Sequence, residues 1–400
     1  MRRPRPRMIE LTALAAIGAE KILGNELKQL GYALSGAPLP GRVFFRADEG
    51  GAYRANLCLR TADRVYLVAA SFRADSFGAL FDGAYAANWQ DYFRKDVRLA
   101  VDKVRVRGSK LASEHSVQKT VHKAICDKLC AAWRMRALPE SGETSEVRVY
   151  IDRGEARLLL DLSGEPLHRR GYRTEGGEAP VRETLAAALL QLMCWRRKLP
   201  LHDPFCGSGT IACEAMLYAY NAPPGLGRHF ALERLAFFDA KHAAEIRAEA
   251  VAGIRPDCAA RISGSDRDPA AVERSRANAE CAAAAVGRAL QSAGSDARIP
   301  RPVFTQTDIT ALPAPYESGA LIGNPPYGER LGDKAAAERL YRSMTGVFGA
   351  FSGLKIGFIA ACPRFESLVG TNADRAKKLK SGKLDTVFYQ WDARGNGDSR

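Results

Sequence analysis

From Pro180 to Trp391 the chain alternates short apolar runs with amphipathic stretches of helical period, and this alternation narrows the possible folds more than any other feature. "PVRETLAAALLQL" reads as a helix with Pro180 at its start, "LPLHDPF" as a strand, "CGSGT" as a tight loop and "IACEAMLYAY" as a second helix. A strand "ARISGSD", a helix "DPAAVERSRANAECAA", the strands "PVFTQTD" and "GALIGN", a helix from Ala335 to Phe348 and a strand "LKIGFIA" follow. Strands separated by helices are joined by crossovers, so they run parallel and are covered on both faces. The expected fold is α/β, a doubly wound Rossmann-like domain over residues 166–391. Residues 217–258, which include "NAPPGLGRHFALERL", form an extra segment between two units, and 392–400 form a tail with nothing apolar after Trp391.

The first half has a different rhythm. "GAEKILGNELKQLGY" puts Ile22, Leu23, Leu27 and Leu30 on one helical face, "RVFFRA" reads as a strand, and a helix is expected from Tyr53 to Leu59. The strand "RVYLVAAS", the amphipathic "DSFGALFDGAYAANW", the strand "AVDKVRVRG" and a long helix from Val117 to Trp133 follow, and elements mixed in this way suggest a small α+β platform or two ahead of a boundary near Gly164 to Gly177. Two strands, "EVRVYID" and "ARLLLDLSG", close this half around an Arg153-Gly154 turn.

Lys and Arg total 59 against 45 acidic residues, a net charge of +14. Each phosphate neutralised by such side chains releases condensed counterions, so the surplus favours a polyanionic partner. Charge alone does not choose between RNA, DNA and an anionic membrane. Arg105, Arg107, Lys110, Lys119, His122 and Lys123 cluster around the start of the long helix, where Lys119 and Lys123 share a face. This cluster reads as a phosphate-binding edge or as a solvated polar face. No apolar run approaches the roughly 18–20 residues that cross a bilayer, so no membrane partner is expected. "MRRPRPRM" leads into an amphipathic segment and not into a signal-peptide core, which points to the cytoplasm, and Met8 is an alternative start. The nine cysteines contain no C-x-x-C pair. Cys126 and Cys130 can share a helical face, but no second pair completes a zinc site, so no metal is expected. Nothing in the pattern specifies an oligomer.

Strand ends on one edge of a doubly wound sheet line the ligand crevice, and here they carry chemistry. In "DPFCGSGT", Gly207 and Gly209 let backbone approach a ligand while Asp203 can bind an amine; no Lys follows the second glycine, which disfavours Walker-type phosphate binding. Asp266 ends "ISGSD", where a carboxylate can accept both hydroxyls of a ribose, and Asp268 before Pro269 reads as a helix cap. Asp308 ends "TQTD" and can meet an exocyclic adenine amine. Three acids at three strand ends suggest one nucleoside ligand. At a fourth, "NPPY", the amide oxygen of Asn324 and the carbonyl of Pro325 can accept from an exocyclic amine, held stiffly by Pro325 and Pro326. Tyr327 offers a face on which a flipped base can stack.

The pair "DPFCGSGT" and "NPPYGERL", preceded by "DLSGEPLHRRGYR" and "PVRETLAAALL", resembles the THUMP-domain class I S-adenosylmethionine-dependent RNA methyltransferases, in particular the 23S rRNA guanine-N2 methyltransferase group. The likeness covers nearly the whole chain, including "RANLCLRTADRV" and "SVQKTVHKAI". It implies a class I methyltransferase domain at 166–391, a THUMP RNA-binding domain at 60–165 and a ferredoxin-like segment at 1–59. It further implies S-adenosylmethionine (SAM) as cofactor, held by Asp203, Phe205, Cys206, Gly207, Ser208, Gly209 and Thr210 at the methionine end, Asp266 at the ribose and Asp308 at the adenine. Asn324, Pro325, Pro326 and Tyr327 become the base-amine site, with Asn324 also beside the cofactor, and Arg107, Lys110, Lys119, Lys123, Arg170 and Arg173 become RNA contacts. "LKSGKLDTVFYQW" departs from the Tyr-Asn-Gly form of such chains, which bears on the C-terminal edge hairpin and not on the chemistry. The same NPPY motif serves adenine-N6 methylation in DNA and glutamine methylation in proteins. The basic first half favours RNA: 23S rRNA first, tRNA second. An inactive RNA-binding assembly factor is the other reading, and the intact acids at every strand end argue against it.

Overall fold

The computed structural model describes residues 8–173, 181–327 and 333–393, arranged around two seven-stranded sheets. The first contains β1 (Ile9–Leu14), β2 (Ala33–Leu34), β3 (Arg42–Ala47), β4 (Arg64–Arg73), β5 (Arg98–Arg107), β6 (Thr144–Asp152) and β7 (Glu155–Asp161), in the order β2-β3-β1-β4-β7-β6-β5. Of its neighbouring pairs, only β5 and β6 run parallel. The helices α1 (Glu20–Gln29), α2 (Glu49–Cys58), α3 (Phe77–Ala86) and α4 (Glu114–Trp133) belong to this half. The β6–β7 hairpin turns on Arg153 and Gly154, both with positive φ, as a two-residue turn between twisted strands demands.

Two elements differ from the sequence reading. No strand was expected over Ile9–Leu14. That segment pairs with β3 on one edge and β4 on the other, and its burial does not alternate strictly, because Leu11, Thr12 and Ala13 are all buried. Helix α2 starts at Glu49 and not at Tyr53, because the Asp48 side chain caps it by accepting from the Gly51 amide at 2.7 Å. The segments 1–59 and 60–165 also share one sheet, since Leu11 of β1 pairs with Leu67 of β4.

The second sheet contains β8 (Leu201–Asp203), β9 (Ile262–Asp266), β10 (Val303–Gln306), β11 (Gly319–Gly323), β12 (Leu354–Ala360), β13 (Arg375–Ser381) and β14 (Leu384–Trp391), in the order β10-β9-β8-β11-β12-β14-β13. The first five run parallel and the last two form an antiparallel hairpin at the edge. Its helices are α5 (Glu183–Leu192), α6 (Thr210–Ala219), α7 (Ala240–Ala252), α8 (Pro269–Ser292), α9 (Asp333–Ser343), α10 (Thr345–Ala350) and α11 (Phe365–Val369). The helix expected from Ala335 to Phe348 is thus two helices, α9 and α10, divided at Met344. Helix α7 occupies the segment read as extra, and it packs on α2 of the other half through Arg247, which donates to the Tyr53 hydroxyl. Residues 394–400 of the expected tail lie outside the described residues, as does Pro180.

No apolar gap separates the halves. One buried cluster runs from Leu11 and Leu67 to Leu189, Ile211 and Phe388. Polar groups are matched across the same seam: Glu26 of α1 accepts from the Thr61 amide and hydroxyl and from the Gln191 amide of α5. Buried polar groups need such partners, and their directionality fixes how the two sheets meet.

Candidate active site

The strand order sets the place of the site. Strand β8 has β9 on one side and β11 on the other, so the crossovers diverge at β8 and open a crevice beyond its carboxyl end. Both distinctive loops begin there. Gly207 and Gly209 have φ of 53° and 75°, and the loop they shape leads into α6 at Thr210. A Cβ on Gly209 would lie 3.1 Å from the Ser275 backbone, whereas one on Gly207 would meet nothing nearer than 3.9 Å. Helix α8 holds the loop from behind: Ser275 Oγ donates to the Gly207 carbonyl at 2.9 Å and Asn278 Nδ2 to the Ser208 carbonyl at 2.9 Å. Cys206, buried, donates its amide to the Ser265 carbonyl of β9.

The acids stand at the expected strand ends. Asp203 is 1% exposed, and burial pushes its carboxyl up to about 8, opposed by the Phe205 amide donating at 3.1 Å and reinforced by the nearby Asp266 carboxylate. Asp266 accepts from the Gly207 amide at 3.0 Å and from the Asp268 amide at 3.0 Å, which aims it across the glycine loop. Asp268 caps α8 through the Ala270 amide, with Pro269 in the first turn. Asp308 accepts from the Thr310 amide and hydroxyl, and these bonds hold its carboxyl below the usual carboxylate range.

The fourth loop sits against the first. A Cβ on Gly323, the last residue of β11, would lie 3.1 Å from the Phe205 ring and 3.3 Å from Pro204, so glycine lets Asn324 follow close to the glycine loop. The Tyr327 hydroxyl donates to Asn324 Oδ1, and the Tyr341 hydroxyl of α9 donates to the Pro326 carbonyl at 2.6 Å. Neither bond was foreseen, and Tyr341 has no local sequence signal because it reaches the loop from 15 residues away. The Gly328, Glu329, Arg330 and Leu331 of "NPPYGERL" lie outside the described residues.

The basic residues divide. Arg107, Lys110, Lys119 and Lys123 are exposed, Lys123 beside Asp127 and 5.2 Å from the Phe81 ring centre. Arg170 is not on the surface as expected. Its guanidinium is buried against Glu214 of α6 and donates to the Leu167 and Arg60 carbonyls. Arg173 is largely turned inward too, donating to Thr210 Oγ1 at 2.8 Å and pairing with Glu183 of α5. A single sequence cannot separate an arginine that reaches out from one that meets a buried glutamate 44 residues on.

Sequence reading also passed over His202, which is buried between Ser263 and Ser265 of β9 and held to a pKa of about 4 by that burial. Among the described residues no group of His, Cys, Asp or Glu could hold a metal ion, and no helix is long and apolar enough to cross a membrane.

The residues fit SAM. A buried carboxyl that strains to ionise at Asp203 calls for a cation such as the ligand's ammonium, Gly207 leaves open space, and Asp266 faces the same loop. A glycine loop and an acid-ended neighbouring strand at the switch point of a doubly wound sheet are shared by several nucleoside-cofactor folds, and its relatives place this chain among the SAM-dependent methyltransferases. The chain belongs to the family of the RMKL-like methyltransferase domain, whose profile matches residues 170–390, and the RlmL ferredoxin-like domain matches residues 10–66. It is 36% identical over 95% of both chains to YpsC, a candidate RNA methyltransferase of Bacillus subtilis. It is 35% identical to the ribosomal RNA large subunit methyltransferase K/L of Photobacterium profundum, matching with 95% of its own length and spanning 52% of that longer protein. The crystal structure of SMU.472, complexed with SAH, superposes with a TM-score of 0.86 at 33% identity, covering 97% of this chain and 99% of that one.

Proposed function

We propose that this methyltransferase places a methyl group on the exocyclic N2 amine of a guanine in RNA, with 23S rRNA as the favoured substrate and tRNA as the alternative. The observation that carries an amine as the target is the Asn324–Tyr327 loop, which starts directly after Gly323 beside Phe205 and in which Tyr327 holds Asn324 Oδ1, while the choice of guanine N2 rests on the likeness to the K/L enzyme. The net charge of +14 and the RNA activities named for YpsC and for the K/L enzyme support RNA over a protein substrate. Residues 60–165 are the proposed THUMP-type RNA grip, with Arg107, Lys110, Lys119 and Lys123 on its surface.

SAM supplies an electrophilic methyl on a sulfonium, so the protein's task is positioning. Asp203 and Asp266 would hold its ammonium and ribose, with Asp308 at the adenine. Asn324 Oδ1 and the Pro325 carbonyl accept the two amine protons, which draws the nitrogen lone pair out of conjugation with the base. In the structure Tyr327 donates to that same oxygen, so an incoming amine exchanges one hydrogen bond for another. Tyr341 restrains the Pro326 carbonyl and keeps the loop's geometry, while the Tyr327 ring can stack on the base. The released proton passes to water.

Removing one hydrogen-bond group of this kind costs about a hundredfold in turnover. The Asn324→Ala protein should therefore lose methyl transfer on that scale while keeping its fold and SAM affinity. Nucleoside mass spectrometry of rRNA and tRNA incubated with each protein reads the product, and near-normal transfer by the variant refutes the assignment.

A further inference from the structure

The C-terminal edge hairpin carries a charge pattern that methyl transfer does not use. Strand β13 and its turn, from Arg375 to Lys383, hold Arg375, Lys377, Lys378, Lys380 and Lys383 and no acid. All five side chains are exposed, whereas Leu379 among them is buried. Two of the five are answered: Arg375 pairs with Asp392 at 2.6 Å, and Lys380 with the exposed Asp385 at 3.4 Å. Among the described residues Lys377, Lys378 and Lys383 have no ion pair.

Register fixes where these charges stand. Gly323, which ends β11 ahead of Asn324, is level with Phe358 of β12, Tyr389 of β14 and Ala376 of β13. Residues 377–383 therefore extend past the carboxyl ends of the parallel strands, at the end of the sheet that holds the crevice. Three strand spacings, about 14 Å, separate β13 from β11. Packing also keys the hairpin to the target loop. Tyr341, which donates to the Pro326 carbonyl, has its ring centre 4.8 Å from that of Phe365, and Phe365 stacks on Tyr389 at 5.3 Å.

Lysines on an edge strand can serve only to block pairing with another chain. Here the edge is already occupied at the same height: the Ile17 carbonyl accepts from the Lys380 amide at 3.0 Å, and a Cβ on Gly18 would collide with the Lys378 carbonyl. Strand addition is closed there without the charges, and like charges so close together repel. A polyanion relieves that repulsion and releases its own counterions. The place of the strip on the rim of the crevice favours a strand of RNA running on from the target base over an anionic bilayer.

We propose that the β13–β14 hairpin is a second RNA-docking surface, on which Lys377, Lys378 and Lys383 hold backbone phosphates of the strand that flanks the base in the crevice. The proposal rests on RNA being the substrate. Filter binding of deproteinised 23S rRNA and of tRNA across a salt series compares wild type with a charge-removing triple variant (Lys377→Ala, Lys378→Ala, Lys383→Ala) and a charge-keeping one (Lys377→Arg, Lys378→Arg, Lys383→Arg). Losing three contacts should lower the slope of log affinity against log salt by about two, at ~0.7 per phosphate of a single strand, and weaken binding by about tenfold or more near 0.1 M salt. SAM affinity should stay unchanged, and the charge-keeping variant should retain the wild-type slope. In wild type, bound RNA should protect the three lysines from an acetylating reagent, as peptide mass spectrometry reads. An unchanged slope in the charge-removing variant, or lysines equally reactive with and without bound RNA, overturns the docking surface and leaves RNA as the substrate. Wild type that binds neither RNA, or binds only phosphatidylglycerol vesicles, overturns both.

Discussion

Replacing Asp203 by Asn removes the carboxyl's titrating proton from the start of the glycine loop while keeping an oxygen that can accept from the Phe205 amide. The folded-state pKa of about 8 lies above the ordinary 3.8, so between those values the folded chain binds more protons than the unfolded one. Wild-type stability therefore falls as pH rises through that window and levels off above it. At pH 7 the carboxyl is about three pH units above its unfolded pKa, and at 1.36 kcal/mol per unit the ligand-free wild type forgoes up to about 4 kcal/mol relative to a neutral side chain. Asp203→Asn should then match wild type in thermal midpoint near pH 4 and exceed it increasingly up to pH 8. SAM affinity should move the other way, since the variant lacks the carboxylate for the ligand's ammonium. Titrations of wild type at pH 7 in buffers of different ionisation enthalpy should also reveal a proton released on SAM binding, and the variant should release none. A difference in midpoint that stays constant across this pH range would refute the account of Asp203 as a carboxyl held neutral until its ligand arrives.

Asp266→Ala should weaken SAM binding by about 1–3 kcal/mol through lost charge-assisted hydrogen bonds and leave RNA affinity nearly unchanged, which parallel titrations of the two ligands would check. Changing Lys110, Lys119 and Lys123 together to Ala should weaken RNA binding and lower the slope of log affinity against log salt by about two to three, if each meets a phosphate. Filter binding of a 23S rRNA fragment and of tRNA over a salt series measures this; an unchanged slope for both assigns the lysines to a solvated face. Tyr341→Phe removes the 2.6 Å bond to the Pro326 carbonyl and should lower kcat with little change in the KM for SAM, as steady-state kinetics would show.

Periodicity exposed the doubly wound sheet because each of its parallel strands is flanked by helices, and local spacing records that pattern directly. That Asp203, Asp266, Asp308 and Asn324 stand at or just beyond the carboxyl ends of parallel strands was legible for the same reason, and the ligand atom each would meet belongs to the proposed function. Strand β1 was hidden because Leu11, Thr12 and Ala13 are buried in succession, so both faces are covered there and the alternation that marks a half-buried strand is missing. Arg170 and Arg173 misled because burial beside Glu214 and Glu183 depends on how α5 and α6 pack, a fact no window of sequence contains. Tyr341 was silent on similar grounds, since its role exists only once α9 folds back over the loop.

Helix α6 is gripped along its length by residues from elsewhere: Thr210 by Arg173, Glu214 by Arg170 and Tyr172, Tyr218 by Arg60 and Arg197. Arg170 in turn holds the Arg60 carbonyl, so the helix that opens at the cofactor loop is tied to the first half of the chain. Exchanging the first half between relatives is therefore not a matter of joining at a linker. A working chimaera would have to carry α1, the Arg60 loop and their partners on α5 and α6 as one transplanted joint.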